Sequence, residues 1–593
     1  LFSQNRADIW YFGDKAGLDF SSGNPLPVNG SKMLAEVGCA TICDTLGQLL
    51  FYTNGREVWN RDNNIMPNGD SLEGGIDFVN QNSLVIPHPG KGNLYYLFTI
   101  DTLSGGLRYS IVDMTLDSGM GDVSVKNILL EDNVAGKITA VNHCNLKYIW
   151  VIVREMESNV FHSYMVTDTG GICKTPVISY SGDKIMADIG MMKASPTGNI
   201  IALPINNTNI FIELFDFDNE AGIIGNPRKI LKNNNEIVYA YGTEFSGDGK
   251  FFYVSTGGKK YELFQYDVTS GTQDEINESV VKIASGNMFS LQIGPDSKIY
   301  VARANDNFLS VINSPEKRGE DCDFEESAIY LGDNESLMGL PNFNQSYFYF
   351  PSFSFSNACV GDTTFLWIDN GFNFDSVKWS SEKANIDTIV ENIPFEIKKI
   401  FDETGDYDVK VHLYHCDSFD TVYDKISVHR APDVFLGNDT TLCEGKYLII
   451  NAPEDMEQYY WNTGDEGSSI VVWDTGVYWV TVSRNGCFAS DTIKIENIPA
   501  MVQLPTAFTP NGDGINDFFH PQITGFVNDY HLIIYNRYGQ IVWENDNPVA
   551  GWDGRYNGQM CPVGMYVWHF KYKVKKGDSF KIVEKSGNVN IVR

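Results

Sequence analysis

A short hydrophobic strand behind a Gly, Asp or Asn turn recurs six times in the first 345 residues. No other feature constrains the fold of this chain as much. The copies are Gly47–Tyr52, Gly92–Phe98, Leu146–Ile152, Gly198–Leu203, Gly249–Val254 and Ser297–Ala302. Their centres lie 45, 54, 52, 51 and 48 residues apart. A four-stranded propeller blade takes about 40–50 residues, so each interval holds one blade. Second apolar runs such as Glu262–Asp267 and Leu309–Asn313 follow the copies, and continuous apolarity fits strands buried on both faces. The spacing predicts a seven-bladed β-propeller over 1–350; six or eight blades fit it too. The seventh blade is expected to combine Ala7–Phe12 with Leu340–Phe343 or the strand after it, which would close the ring without a free edge.

The turns Ser246-Gly247-Asp248-Gly249-Lys250 and Gly294-Pro295-Asp296-Ser297-Lys298 fit hairpins in which Asp caps the turn and Gly supplies positive φ. They resemble the Ser-Pro-Asp-Gly-Lys hairpins of TolB-like and WD40-like propellers, and lack the Trp that completes a sialidase Asp-box.

Two shorter modules follow, at 351–432 and 433–500. Each has the order Cys, Trp, Gly-x-Tyr, Cys: Cys359, Trp379, Gly405-Asp406-Tyr407 and Cys416, then Cys443, Trp461, Gly476-Val477-Tyr478 and Cys487. That order belongs to an immunoglobulin-like sandwich. Alternation puts Tyr407, Val409 and Val411 on one core face. One cysteine pair per module predicts the disulfides Cys359–Cys416 and Cys443–Cys487. Cys144–Cys173, flanking one blade, is the first choice among the rest; Cys39, Cys43, Cys322 and Cys561 stay unassigned. The run Gly405-Asp406-Tyr407-Asp408-Val409-Lys410-Val411 resembles the polycystic-kidney-disease (PKD) domain family, whose tandem modules imply a stalk or spacer.

Residues 501–593 carry the most specific motifs. They run Pro510-Asn511-Gly512-Asp513-Gly514-Ile515-Asn516-Asp517, then Asn536-Arg537-Tyr538-Gly539, Trp552-Asp553-Gly554 and Gly564-Met565-Tyr566. In that order they resemble the type B sorting domain of the type IX secretion system, also called the gliding-motility-associated C-terminal domain. The resemblance implies a β-sandwich that directs export through the periplasm to the cell surface. It also implies docking to an outer-membrane barrel protein of the secretion and gliding machinery. Trp543, Trp552, Tyr566 and Trp568 are expected in its core or its interface.

Composition narrows the partners. A net charge of -32 repels a phosphate backbone and excludes nucleic acid. No apolar run approaches the roughly 18 residues of a transmembrane segment. Leu1-Phe2-Ser3-Gln4 reads as the tail of a secretory signal peptide or its cleavage scar. Nine Asp-(Ser/Thr)-aliphatic-or-Thr tripeptides, beginning at Asp44, Asp70, Asp101, Asp362, Asp375, Asp387, Asp420, Asp439 and Asp491, resemble an O-glycosylation sequon of bacteria with this export system.

Catalytic signatures are missing: no HExxH, GxSxG, Walker loop or dinucleotide fingerprint occurs. His412 and His415 point to opposite faces of a strand, which argues against a metal pair with Cys416. Asn511, Asp513, the Ile515 carbonyl and Asp517 offer alternate oxygens to a calcium ion, the only cofactor the sequence suggests; the same residues also make an Asx-type turn without metal. The expectation is an all-β, non-enzymatic surface protein whose propeller binds a surface glycan or another protein. The alternative is a secreted polysaccharide-degrading enzyme using propeller carboxylates, for which Glu36, Asp77 and Glu244 are too generic to single out.

Overall fold

The computed structural model describes residues 4–593, apart from 76–78, 102–105, 187, 208, 232–236, 270, 370–373, 417, 444–445, 499–500, 526 and 577–578. Asp77 and the opening Leu1-Phe2-Ser3 therefore lie outside the described residues. The fold is all-β, and the described chain falls into two compact units. One comprises Leu1–Phe355, Phe365–Lys398 and Tyr407–Lys425; the other comprises Ser356–Thr364, Lys399–Asp406 and Ile426–Arg593.

Seven sheets make up the propeller. Blade 1 has the strand order Leu34–Ala35, Ile9–Asp14, Ala16–Asp19, Leu26–Pro27. Blade 2 has three strands, Ala40–Cys43, Leu49–Thr53 and Val58–Asn60. Blades 3 to 7 begin at Ser83, Val134, Lys193, Ile237 and Leu291 and run in chain order, blade 4 with a fifth strand at Val177–Tyr180. Each of the six recurring strands is the second strand of its blade, flanked on both sides. In blade 4, Ile149–Glu155 pairs with Val134–Asn142 and Val160–Thr167 and is buried at six of seven positions. Ile9–Asp14 occupies that second place in blade 1, so the motif occurs seven times.

The ring closes differently from the expectation. Blade 1 takes all four strands from the N-terminal end of the chain, and Leu340–Phe343 adds no strand to it. Closure comes from Glu335, whose backbone bridges Asp14 and Lys15, and from Tyr300 of blade 7, edge-on to Trp10 at 5.4 Å and to Phe20 at 5.3 Å. The chain then threads the axis. Gly339–Gln345 is buried at every residue. Along this stretch Asn342 N–H donates to the Cys39 carbonyl of blade 2 at 2.9 Å, and Asn344 bridges Ala140 of blade 4. The Asn342 amide donates to the Ser83 and Ile138 carbonyls at 3.3 and 3.1 Å. Ser290 N–H of blade 7 donates to Met338 at 3.1 Å. Contact is so close that a Cβ at Gly339 would stand 1.5 Å from the Val37 carbonyl oxygen. The segment predicted as a closing strand is an axial plug: its polar groups bind inner strands of several blades, not one sheet edge.

In the first sandwich, Ser352–Phe355, Thr363–Asp369 and Ile397–Ile400 form one sheet, and Ile386–Val390, Ser376–Ser381, Gly405–His415 and Ser418–Val428 the other. Trp379 is fully buried against Phe353 at 5.4 Å, and Tyr407, Val409 and Val411 face the core as alternation requires. The second sandwich orders Thr440–Cys443, Cys487–Ile498, Gly476–Arg484 and Gln458–Trp461 in one sheet beside the pair Leu448–Asn451 and Ser469–Val472.

All three predicted disulfides are corrected. The bonds are Cys144–Cys416 and Cys359–Cys487, with Cα–Cα distances of 6.0 and 5.8 Å; Cys173 and Cys443 are free thiols. Cys359 bridges His429, just past the end of Ser418–Val428, whereas Cys416 stands just before that strand's start. Eleven extended residues separate those ends by about 35 Å, far beyond the ~7 Å limit. Cys443 likewise pairs with Ile498, the far end of the strand that Cys487 begins. Cys173 follows Gly171–Ile172, the fourth strand of blade 4, while Cys144 sits on the turn between its first and second strands. The intervening strands, about 4.8 Å apart, keep those two thiols from meeting.

The C-terminal domain is a five-stranded sheet in the order Ala507–Phe508, Ser579–Ile591, Gly564–Lys576, Asn528–Tyr535, Ile541–Asn545, with the small pairs Met501–Gln503/Gln522–Thr524 and Arg555–Tyr556/Gln559–Met560.

Candidate functional site

Three places hold concentrated polar chemistry. The first is the propeller axis. Lys193 and Glu244, both fully buried, form an ion pair at 3.1 Å. Lys193 also donates to Gln292, and the Glu244 carboxylate accepts N–H bonds from Phe245 at 3.0 Å and Ile293 at 3.1 Å. Burial pushes the lysine down and the carboxyl up, and each partner's charge opposes that drift. Lys137, pushed down to about 8 by burial, donates to the Ile189 and Gly190 carbonyls at 2.9 and 2.7 Å with Asp188 4.0 Å away. Each of the four is paired with another of them or with the backbone.

The second place is a cleft of about 980 Å³ within the first unit. Arg6, His88, His143, Tyr347 and Tyr349 line it from the propeller, and His415, Asp420, Thr421 and Tyr423 from the strand ends beside Cys416. The Cys144–Cys416 bond ties its two walls together. Arg6 lies on the short helix Gln4–Ala7, which packs on Gln345–Phe348 at the end of the plug. Its one hydrogen bond is to the Tyr95 hydroxyl at 3.5 Å, and among the described residues no carboxylate pairs with it. The Tyr347 and Tyr349 hydroxyls are buried without a hydrogen-bond partner among the described residues. Burial pushes both phenols up, so they stay protonated donors. His88 and His143 accept N–H bonds at Nδ1 from Gly90 and Asn145 at 3.1 and 3.0 Å. Burial pushes both imidazoles down, so each is neutral with its proton on Nε2.

The third place is the C-terminal domain. The Asp517 carboxylate accepts N–H bonds from Asn511, Gly512 and Gly514 at 3.0, 2.7 and 2.7 Å. These bonds hold its carboxyl below the usual range. Asp513 accepts from Ile515 at 2.8 Å, Asn511 from Asp513 at 3.1 Å, and the Ile515 carbonyl from Thr509 Oγ1 at 3.2 Å. All four groups offered for calcium accept hydrogen bonds within an Asx-type turn. Among the described residues no three His, Cys, Asp or Glu side chains gather as a metal site. His412 meets Phe419 and Thr421, while His415 lies on Phe374.

The other motif residues divide between core and turns. Trp552 is fully buried against Phe508 at 5.4 Å and Tyr566 at 4.9 Å, and its indole donates to the Arg555 carbonyl. Trp568 lies across Gly587, where a Cβ would come within 2.4 Å of the ring. Trp543 is partly buried at the core's edge. Pro510 packs over Gly554, at φ +71°. Asp553 accepts Arg555 N–H, and Asn536 accepts Tyr538 and Gln540 N–H in a turn completed by Gly539 at φ +80°. Arg537 reaches over Tyr538. Gly564 begins the strand whose Tyr566 donates to Pro562.

An open edge escaped the sequence reading. Asn590 and Val592 donate N–H bonds to Thr506 and Phe508, so their amides face the outer side of Ser579–Ile591. The strand runs in unbroken register with Gly564–Lys576. By period two the amides of Phe580, Ile582, Glu584, Ser586 and Asn588 face the same side, where no described strand pairs with them. Charge was the legible signal. Residues 502–593 hold nine Lys and Arg against eight Asp and Glu; the preceding residues hold 35 against 68. Six of the nine lie at Lys571, Lys573, Lys575, Lys576, Lys581 and Lys585.

No curated protein sequence matches the chain. Among solved structures, a 6-phosphogluconolactonase-titled protein from Bacteroides uniformis covers 56% of this chain and 98% of its own at 14% identity and TM-score 0.37. The periplasmic gluconolactonase PpgL of Pseudomonas aeruginosa covers 68% and 97% at 10% identity and TM-score 0.27. The fibronectin(III)-like modules of Clostridium thermocellum CbhA cover 25% and 95% at 11% and 0.17. Likenesses this distant carry nothing about activity. Residues 502–588 match the family described as the CHU_C type IX secretion signal domain, and the chain therefore carries a signal that directs export by that system.

Proposed function

We propose that this chain is a non-enzymatic surface cargo of the type IX secretion system. Its propeller binds a protein or glycan, its two sandwiches act as spacers, and its last domain docks on an outer-membrane barrel protein of the secretion and gliding apparatus. The observation that carries the reading is the signal domain at 502–588. The open edge of Ser579–Ile591 supports the docking step, because an extended partner segment can add to it by main-chain hydrogen bonds. The lysines of the same hairpin favour an acidic partner strand. The self-satisfied Asp517 loop supports a preformed turn that needs no calcium. Surface display of the full chain and of a chain ending at 501 tests the reading. The truncated chain is expected to stay behind the outer membrane with its propeller folded; normal display of it would overturn the proposal.

A further inference from the structure

We propose that the Arg6 cleft binds an acidic saccharide, the sugar carboxylate lying on Arg6 beside the Tyr347 hydroxyl. The inference rests on the reading of the propeller as a binding module and names its ligand class. In a chain of net charge -32, a half-buried guanidinium with no ion pair among the described residues, and only the longer-range pull of Asp44, is open to an acid from outside the chain. The planar fork of Arg matches a carboxylate with two parallel bonds. Tyr347 is 8% exposed, and its hydroxyl lacks a hydrogen-bond partner among the described residues; such a group costs stability that an arriving acceptor restores. The helix carrying Arg6 packs against the helix carrying Tyr347, so one anion can reach both.

The rest of the cleft suits a saccharide better than a peptide. About 980 Å³ accommodates a short oligosaccharide. Tyr148 and Tyr423 supply ring faces, and Asn142, Asp168 and Asp420 supply the acceptors that sugar hydroxyls require. A peptide would call for a strand edge or deep apolar holes, whereas the cleft lining sets polar groups among aromatic and apolar faces.

Calorimetry on the full-length protein tests this with tetragalacturonate, maltotetraose and a hexaglutamate peptide. Tetragalacturonate is expected to bind saturably, at least tenfold more tightly than the other two. Arg6→Met is expected to weaken it at least tenfold. Tyr347→Phe is expected to weaken it several-fold while leaving the melting temperature unchanged or raised, because it deletes an unpaired hydroxyl. Equal or preferred binding of maltotetraose or hexaglutamate would overturn the assignment and leave the binding-module reading in place. Binding unchanged in Arg6→Met, or heat from none of the three probes, would overturn it as well. Surface display of Arg6→Met is read separately and is expected to match the wild type, so a failure of the export reading is not confused with a failure of this one.

Discussion

The axis of the propeller and the last hairpin of the C-terminal domain treat backbone and charge in opposite ways. At the axis every inner strand faces either a neighbouring blade or the plug, and even a fully buried lysine finds a carboxylate and an amide oxygen. In the hairpin, alternate amides from Phe580 to Asn588 have no described strand beside them. The propeller belongs to the strongly acidic part of the chain, whereas the C-terminal domain is nearly neutral with its lysines gathered on one hairpin. Exposed strand edges invite aggregation unless they are blunted or used. Lysine is the residue that blunts them, and it also recruits an acidic partner. The comparison teaches that buried charge is closed off at the axis while the last hairpin leaves main-chain groups without a described strand partner.

The comparison can be broken or sharpened by measurement. The largest effect is expected from Lys193→Met, which leaves Glu244 buried without its cation and should cost about 3–5 kcal/mol in denaturant unfolding. The double variant Lys193→Met/Glu244→Leu should recover most of that. A single-variant loss below about 1 kcal/mol would show that the axis is not electrostatically closed. Gly339→Ala should cost about 2–3 kcal/mol or more, because the new Cβ collides with the Val37 carbonyl; a neutral result would mean that the plug is loose.

On the other side of the comparison, Ile582→Pro removes an outward amide that no described strand uses, so folding should be nearly unchanged while surface display is lost. Val583→Pro removes an amide facing Gly564–Lys576 and should unfold the hairpin. Display of a folded Ile582→Pro chain would refute docking by strand addition. Smaller still is a pH effect at Asp8, whose carboxyl burial and the nearby Asp19 push up to about 6. Its folded state keeps a proton that the unfolded chain releases near the ordinary value of about 3.9. Stability from this group is therefore full below about pH 4 and lost as pH rises through 6. Asp8→Asn should flatten that slope in melts between pH 4 and 7. Finally, millimolar calcium should leave the melting temperature of the protein unchanged; a rise of several degrees that is lost in Asp517→Ala would restore the metal reading.

Much of this was legible in the chain itself. The recurring strand stood out because the second strand of a blade is apolar on both faces and follows a tight turn, as in Ser246–Lys250, where Gly249 has φ +71°. Tyr407, Val409 and Val411 were legible for the related reason that period-two alternation is local. The cysteine pairs were not. Proximity in sequence suggested partners within a module, while an eleven-residue strand carries its two ends far apart and towards other elements. Leu340–Phe343 looked like a strand because it is mostly apolar, but Asn342 within it and Asn344 just beyond it reach inner strands of several blades.

By itself the sequence determined the all-β class, the blade spacing and the export signal, since each is written in contiguous residues whose geometry is set by neighbours one to five positions away. Tertiary structure alone decided which cysteines bond, that the ring is sealed by a plug, that Arg6 and Tyr347 share a cleft, and that one strand edge stays open. Those outcomes depend on segments hundreds of residues apart meeting in space, which no local pattern encodes.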